Sequence, residues 1–342
     1  MSRGRVYIAH TGGTLGMRRG PRGYVPAPGF LEERMAAMPE LQRDEMPGFT
    51  VREYPTLLDS ANVRPADWAA IGRDLMAHYH GYDGFVVLHG TDTMAFSAAA
   101  LSFMLEGLGK PVIFTGSQIP LVEVRSDGRE NLITSMLIAA RQPVPEVCLF
   151  FGSRLLRGNR ATKVSAGGFD AFDSPNYPPL GEVGVDIELD LDRVRRPEPG
   201  AAPRLAEPAP AELAVVRLFP GISAAVVERA LAPPVAGAVI QTYGVGNAPE
   251  DPALLAALAA AAARGVVVVN CTQCLRGGVD MGDYATGGAL RRAGVLDGAD
   301  MTTEAAVAKL YYLLGSGLGA DEVRRLVAED LRGELTVSGT SS

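Results

Sequence analysis

A chain of 342 residues, 47% hydrophobic and 21% charged, can bury a sizeable core, and its length suggests two domains. A net charge of -7 argues against a nucleic-acid groove, which needs clustered Lys and Arg. Residues 1–10 lack the apolar core of a secretion signal, and the longest apolar-rich stretch, 253–263, is too short to span a bilayer, so the cytoplasm is the default compartment.

In chain order, the apolar run 6–9 predicts a first buried strand. Residues 18–29 carry glycines and prolines near each end and cannot hold a regular helix. They read as a long loop, a candidate lid. Helical periodicity follows over Pro65–His78, then an apolar strand at 85–88, a helix over 94–108 and a strand at Val112–Thr115. A helix over 131–140 and a strand at Val147–Phe151 complete this part. Residues 195–210 are rich in Pro, Ala, Glu and Gly without periodicity and read as a linker. Beyond it come strands at 214–219, 236–241 and 266–270, with helices over 252–264 and 303–314. Strands alternating with helices imply an α/β fold, and continuously apolar strands imply mainly parallel sheets with flanking helices. The expected organisation is a larger N-terminal domain over 1–194, a linker over 195–212, and a smaller, flavodoxin-like C-terminal domain over 213–342.

In open α/β sheets, ligands bind beyond the carboxyl ends of the strands. The first strand runs into Thr11-Gly12-Gly13-Thr14, and the strand at 85–88 runs into His89-Gly90-Thr91-Asp92-Thr93. Between them lies Leu58-Asp59-Ser60-Ala61. All three segments carry hydroxyls or carboxylates, and two carry glycines that let a ligand approach the backbone. Taken singly, each has a plain structural reading: a strand-to-helix turn, or an N-cap for the helix starting near Met94. A dinucleotide loop should open directly into a helix, whereas here a Gly/Pro-rich stretch follows.

Together, in this order and spacing, the segments resemble the bacterial asparaginase family, and most closely its type I, cytoplasmic branch. The resemblance runs the length of the chain. It takes in residues 110–118, Arg125-Ser126-Asp127-Gly128, residues 157–163 and 169–176, then Phe219-Pro220-Gly221-Ile222, residues 243–247 and 285–287. It implies L-asparagine hydrolysis with Thr14 as the nucleophile that forms an acyl-enzyme ester. It implies a second polar cluster of Thr91, Asp92 and Lys163 beside the amide. Asp59, Ser60 and Ala61 would form the substrate-binding segment, Ser60 holding the α-carboxylate and Asp92 the α-ammonium. Tyr24 would belong to a lid over Thr14. The resemblance further implies a homodimer or homotetramer and no cofactor.

Secreted members carry glutamine where this chain has Ala61, so one ammonium contact is missing. Type I relatives also build a second, allosteric asparagine site. Its candidate residues here are Thr162, Gln241, Thr272 and Cys274, with Gln241 standing where an arginine occurs elsewhere. Glutamine does not replace that charge toward a carboxylate.

Several alternatives stay open. A tRNA-dependent amidotransferase subunit shares the threonine motifs but usually bears an extra N-terminal domain, for which a first strand at about residue 5 leaves no room. A non-catalytic amino-acid sensor would be expected to lose a threonine or the lysine. A dinucleotide-binding oxidoreductase is the third. The Cys271-x-x-Cys274 pair lacks the second ligand pair a zinc site needs, and reads as small residues after a buried strand. His10 and His89 invite a Thr-His-Asp reading, but His89 is expected to pack at its strand end.

Overall fold

A computed structural model of the chain describes residues 3–21, 23–197, 200–282 and 285–336. The chain forms a two-domain α/β fold. The larger unit is Met1–Ser174 with Pro178–Leu205, and the smaller is Pro175–Tyr177 with Ala206–Ser342.

The larger unit is built on an eight-stranded sheet. Five parallel strands lie in the spatial order Gly48–Leu58, Arg5–Gly12, Gly84–Leu88, Val112–Thr115, Val147–Phe151. Three short antiparallel strands, Arg154–Arg157, Gly181–Val183 and Ile187–Leu189, extend the far edge. Gly84–Leu88 is buried at every position, because helices cover both faces. One of these helices, Pro65–His78, starts on a proline, and Asp67 accepts the Arg64 backbone N–H at 2.7 Å. Another, Met94–Met104, is buried on nearly all sides. Numbered along the chain, the parallel strands run 2-1-3-4-5. The order therefore reverses between Arg5–Gly12 and Gly84–Leu88, where such sheets open a crevice at their carboxyl ends.

Three expectations need correction here, and one strand has no counterpart among them. The helix expected over 94–108 ends at Met104, because Leu105–Glu106 turns extended and pairs with Arg204–Leu205. The same pairing puts a strand inside the stretch that reads as linker. Residues 18–29 are not structureless: Met17–Gly20 and Gly23–Pro26 form an antiparallel hairpin, closed between Gly20 and Gly23. The eleven-residue strand Gly48–Leu58 was not expected, because as an edge strand it is half-exposed and never continuously apolar.

The smaller unit holds four parallel strands, Leu213–Arg217, Gly237–Thr242, Val267–Thr272 and Val295–Asp297. They follow chain order without reversal, so the flavodoxin-like order occurs in the larger unit instead. Alternate residues divide the core. Ile240 and Val268 face Leu254, Leu258 and Leu290 on one side, and Val239 and Val269 face Ala305, Leu310 and Leu313 on the other. A fully buried Leu such as Leu258 contributes about 1.5–3 kcal/mol. On the second face, Lys309 of helix Thr303–Gly315 is buried against the equally buried Glu334, 2.6 Å away. Among the described residues no helix is long and apolar enough to cross a membrane.

Candidate active site

The crevice at the strand reversal is built by glycines. Gly12 and Gly13 adopt φ of +136° and +87°, a region that disfavours side chains. Gly13 N donates to Leu58 O at 3.1 Å, which ties the Thr14 turn to the Asp59 segment. A Cβ on Gly13 would lie 2.5 Å from Gly90 N, and one on Gly90 would lie 2.5 Å from Ser60 Oγ. The three segments that follow the strands Arg5–Gly12, Gly48–Leu58 and Gly84–Leu88 are thus in direct contact. Thr14 opens the short Thr14–Gly16 turn between them, half-buried.

The polar side chains converge from separate elements. Lys163 lies on the two-residue strand Thr162–Lys163, paired with Phe172–Asp173. Its Nζ donates to Thr91 Oγ1 at 2.9 Å and to Asp92 Oδ1 at 2.7 Å. Because Thr91 accepts from lysine, its own proton points elsewhere, toward Gln118 Oε1 at 3.3 Å. Asp92 N donates to Ser60 Oγ at 3.3 Å, and Thr93 Oγ1 donates to Ser60 O at 2.7 Å. Thr91 and Ser60 are buried, while the Asp92 side chain is 64% exposed, facing outward beside the lysine. Asp59 Oδ1 accepts Ala61 N at 3.2 Å and caps the Ser60–Asn62 turn, with Ala61 exposed beyond it. Tyr24 sits on the hairpin, whose Gly23–Pro26 strand packs against the Thr14–Gly16 turn.

His89 is held by hydrogen bonds on both ring nitrogens, and His10 is buried under the Thr14–Gly16 turn. His89 Nδ1 lies 2.7 Å from Gly90 O and its Nε2 3.0 Å from Ser97 Oγ, which accepts the Trp68 indole N–H at 3.0 Å. A carbonyl only accepts, so Nδ1 carries the proton, and burial lowers the His89 pKa and keeps the ring neutral. Burial also lowers the pKa of His10, against the pull of Glu53 at 3.4 Å. The His10 ring lies beneath Gly16, where a Cβ would sit 2.6 Å from Nε2.

Two contributors have no role in the sequence reading. Gln118 orients Thr91 and is itself fixed, its Nε2 donating to Gly168 O at 3.0 Å. Asp127 accepts Gln118 N and Ile119 N at 3.0 to 3.1 Å and shapes that turn. Both fall in segments that carry the family resemblance, but no spacing marks either side chain as functional.

Four residues are candidates for a second site. Thr162 precedes Lys163 in the larger unit. In the smaller unit, Gln241 Nε2 donates to Thr303 Oγ1 at 2.7 Å, and Thr272 Oγ1 accepts Cys274 N at 3.0 Å. Cys271 is buried, which pushes its thiol up to about 12, while Cys274 is exposed.

Residues 5–195 match the family described as "Asparaginase, N-terminal", and residues 212–327 match "Glutaminase/Asparaginase C-terminal domain". The chain belongs to the asparaginase family. It is 53% identical over 337 residues to the asparaginase of Escherichia coli K12 called L-asparaginase 1, a match that covers 98% of this chain and 99% of that one. The crystal structure of L-asparaginase I from Vibrio cholerae superposes with a TM-score of 0.92 at 52% identity, covering 98% of this chain and all of that one. This chain is also 45% identical over 353 residues to the human 60 kDa lysophospholipase, 97% of this chain aligning with 61% of that protein.

Proposed function

We propose that this protein is an L-asparaginase that converts L-asparagine to L-aspartate and ammonia through an ester on Thr14. The observation that carries the reading is the contact among the Thr14 turn, the Thr91–Lys163–Asp92 cluster and Ser60 at the strand reversal. An amide is a poor electrophile and a hydroxyl a weak nucleophile, so the attack needs a proton acceptor and donors for the oxyanion. Thr14 Oγ1 bonds to the amide carbon, and its proton passes to the amide nitrogen, relayed by the Thr91 hydroxyl that Lys163 holds. The C–N bond then breaks and ammonia leaves with that proton. Water next cleaves the ester, releases aspartate and restores Thr14. Ser60 receives the α-carboxylate and Asp92 the α-ammonium. Asp59, whose carboxylate is used to cap its own turn, shapes the segment, and Ala61 borders it. Tyr24 closes the hairpin over the bound substrate. Assaying ammonia release from asparagine and from glutamine tests this. Glutamine turnover without asparagine turnover would overturn it.

The protein acts in the cytoplasm as a homodimer or homotetramer and needs no cofactor. Exhaustive dialysis against a chelator should leave the rate of ammonia release unchanged. Loss of activity that added zinc restores would contradict this.

Control by asparagine at a second site is expected to be weak. Gln241 offers no charge and already donates to Thr303 at the start of a helix. Losing a charge-assisted hydrogen bond removes about 1.5–3 kcal/mol, or roughly ten- to a hundredfold in effector affinity. Initial rates should therefore rise almost hyperbolically with asparagine, and Gln241→Arg should add modest sigmoidicity. A steeply sigmoidal curve in the unaltered protein would mean that other groups supply the contact.

A further inference from the structure

The segment from Gln118 to Asp127 touches three separate parts of the site. Gln118 accepts the Thr91 hydroxyl. Leu121 N donates to Leu15 O at 3.1 Å, on the turn that begins with Thr14. Glu123 Oε1 accepts the Tyr24 hydroxyl at 2.9 Å. The segment is closed on itself, Asp127 accepting two backbone amides near its start and Ser126 Oγ donating to Ile119 O at 2.9 Å. It is therefore a braced loop fixed to both threonine segments.

The hairpin it reaches is held more lightly. All four residues of Gly23–Pro26 are exposed, Tyr24 at 44%. Beyond the hairpin the chain is tied down at Gly29, whose N–H is shared by both oxygens of Glu53 at 2.9 and 3.1 Å. Between the Thr14 turn and Gly29, the Tyr24 hydroxyl meets a carboxylate carried by the braced loop. A phenol donating to a carboxylate makes a charge-assisted bond, stronger than one between neutral partners. That bond raises the Tyr24 pKa above its ordinary value, which keeps the phenol protonated and donating.

We infer that Glu123 is a positioning residue for the reaction: by accepting the Tyr24 hydroxyl it fixes the hairpin against the Thr14–Gly16 turn. Glu123 acts through Tyr24 alone and does not touch substrate. The inference rests on Thr14 and Tyr24 having the roles proposed above.

The test measures kcat and KM for asparagine, with unfolding midpoints, in Glu123→Ala, Glu123→Gln, Tyr24→Phe and the Ala/Phe double variant. Glu123→Ala should lower kcat/KM about tenfold, the fold-change that one charge-assisted bond supports. The loss should fall mainly on kcat, because closure completes the site. Glu123→Gln should recover most of it, since an amide oxygen still accepts. The double variant should be no slower than Tyr24→Phe alone, with midpoints unchanged throughout. Wild-type kcat/KM in Glu123→Ala, a raised kcat, or losses that multiply in the double variant would each overturn the inference. If Thr14→Ala is inactive while Glu123→Ala is normal, only this inference fails. If Thr14→Ala stays active, the underlying mechanism fails as well.

Discussion

Thr14→Ala is expected to abolish ammonia release while leaving the unfolding midpoint and circular dichroism unchanged. Removing the nucleophile of a covalent catalyst costs on the order of 10⁴-fold or more in kcat. The turn itself should survive, because its shape depends on Gly12, Gly13 and the bond to Leu58 O rather than on the Thr14 hydroxyl. Thr91→Val and Lys163→Met should each be nearly as damaging, since Thr91 is held between Lys163 and Gln118 and the group acts as a unit. Combining either with Thr14→Ala should add little further loss. Ammonia release by Thr14→Ala at a rate near that of the unaltered protein would end the mechanism proposed here.

Lys309→Met is expected to produce the largest loss of stability, about 3–5 kcal/mol, the cost of leaving a buried charge without its partner. Lys309 and Glu334 are both wholly buried. Lys309 Nζ also donates to Val327 O at 2.9 Å, and Glu334 accepts Leu331 N and Arg332 N. Replacing both partners, as in Lys309→Met with Glu334→Leu, should recover much of the loss, because the desolvation cost of both charges disappears. Urea unfolding of the unaltered protein, both single variants and the double variant checks this, and a double variant weaker than either single would refute it. Burial pushes the Glu334 carboxyl up, but Lys309 and the two backbone amides more than offset that and hold it below the ordinary carboxylate range. A depressed carboxyl contributes stability above its unfolded pKa of about 4.3 and loses it as pH falls through the lower folded value. The unaltered protein should therefore weaken in acid over that window.

Fold class was legible because buried strands advertise themselves. Val112–Thr115 and Val147–Phe151 are continuous apolar runs, and the structure begins and ends them where the sequence does. The strand Gly48–Leu58 hid because an edge strand faces solvent along much of its length, and Arg52, Glu53 and Pro55 break its pattern. The antiparallel strands 154–157, 181–183 and 187–189 hid because three or four residues carry no readable period. The candidate site residues stand out in the sequence through their motifs. The geometry that unites them was not, since nothing local to Lys163 predicts that a two-residue strand will bring it to Thr91. Gln118 and Glu123 are the plainest case. Each acts on a partner far away in sequence, at separations of 27 and 99 residues, and no window on the chain contains both ends.

The segment Pro175–Tyr177 belongs to the smaller unit although its neighbours on either side belong to the larger. Asn176 anchors it there, its amide group bonded to Gly277 O, Gly277 N and Asp300 O at 2.8 to 3.0 Å. Gly277 lies 101 residues downstream. At a synthesis rate of about 5–20 residues per second, Asn176 waits roughly 5–20 s on the ribosome before its partner emerges. Early in that interval the last strands of the larger sheet, Gly181–Val183 and Ile187–Leu189, emerge, while residues 175–177 still lack their partners. The larger sheet can therefore pair as it is made, whereas the final seating of residues 175–177 must follow synthesis of Gly277 and Asp300.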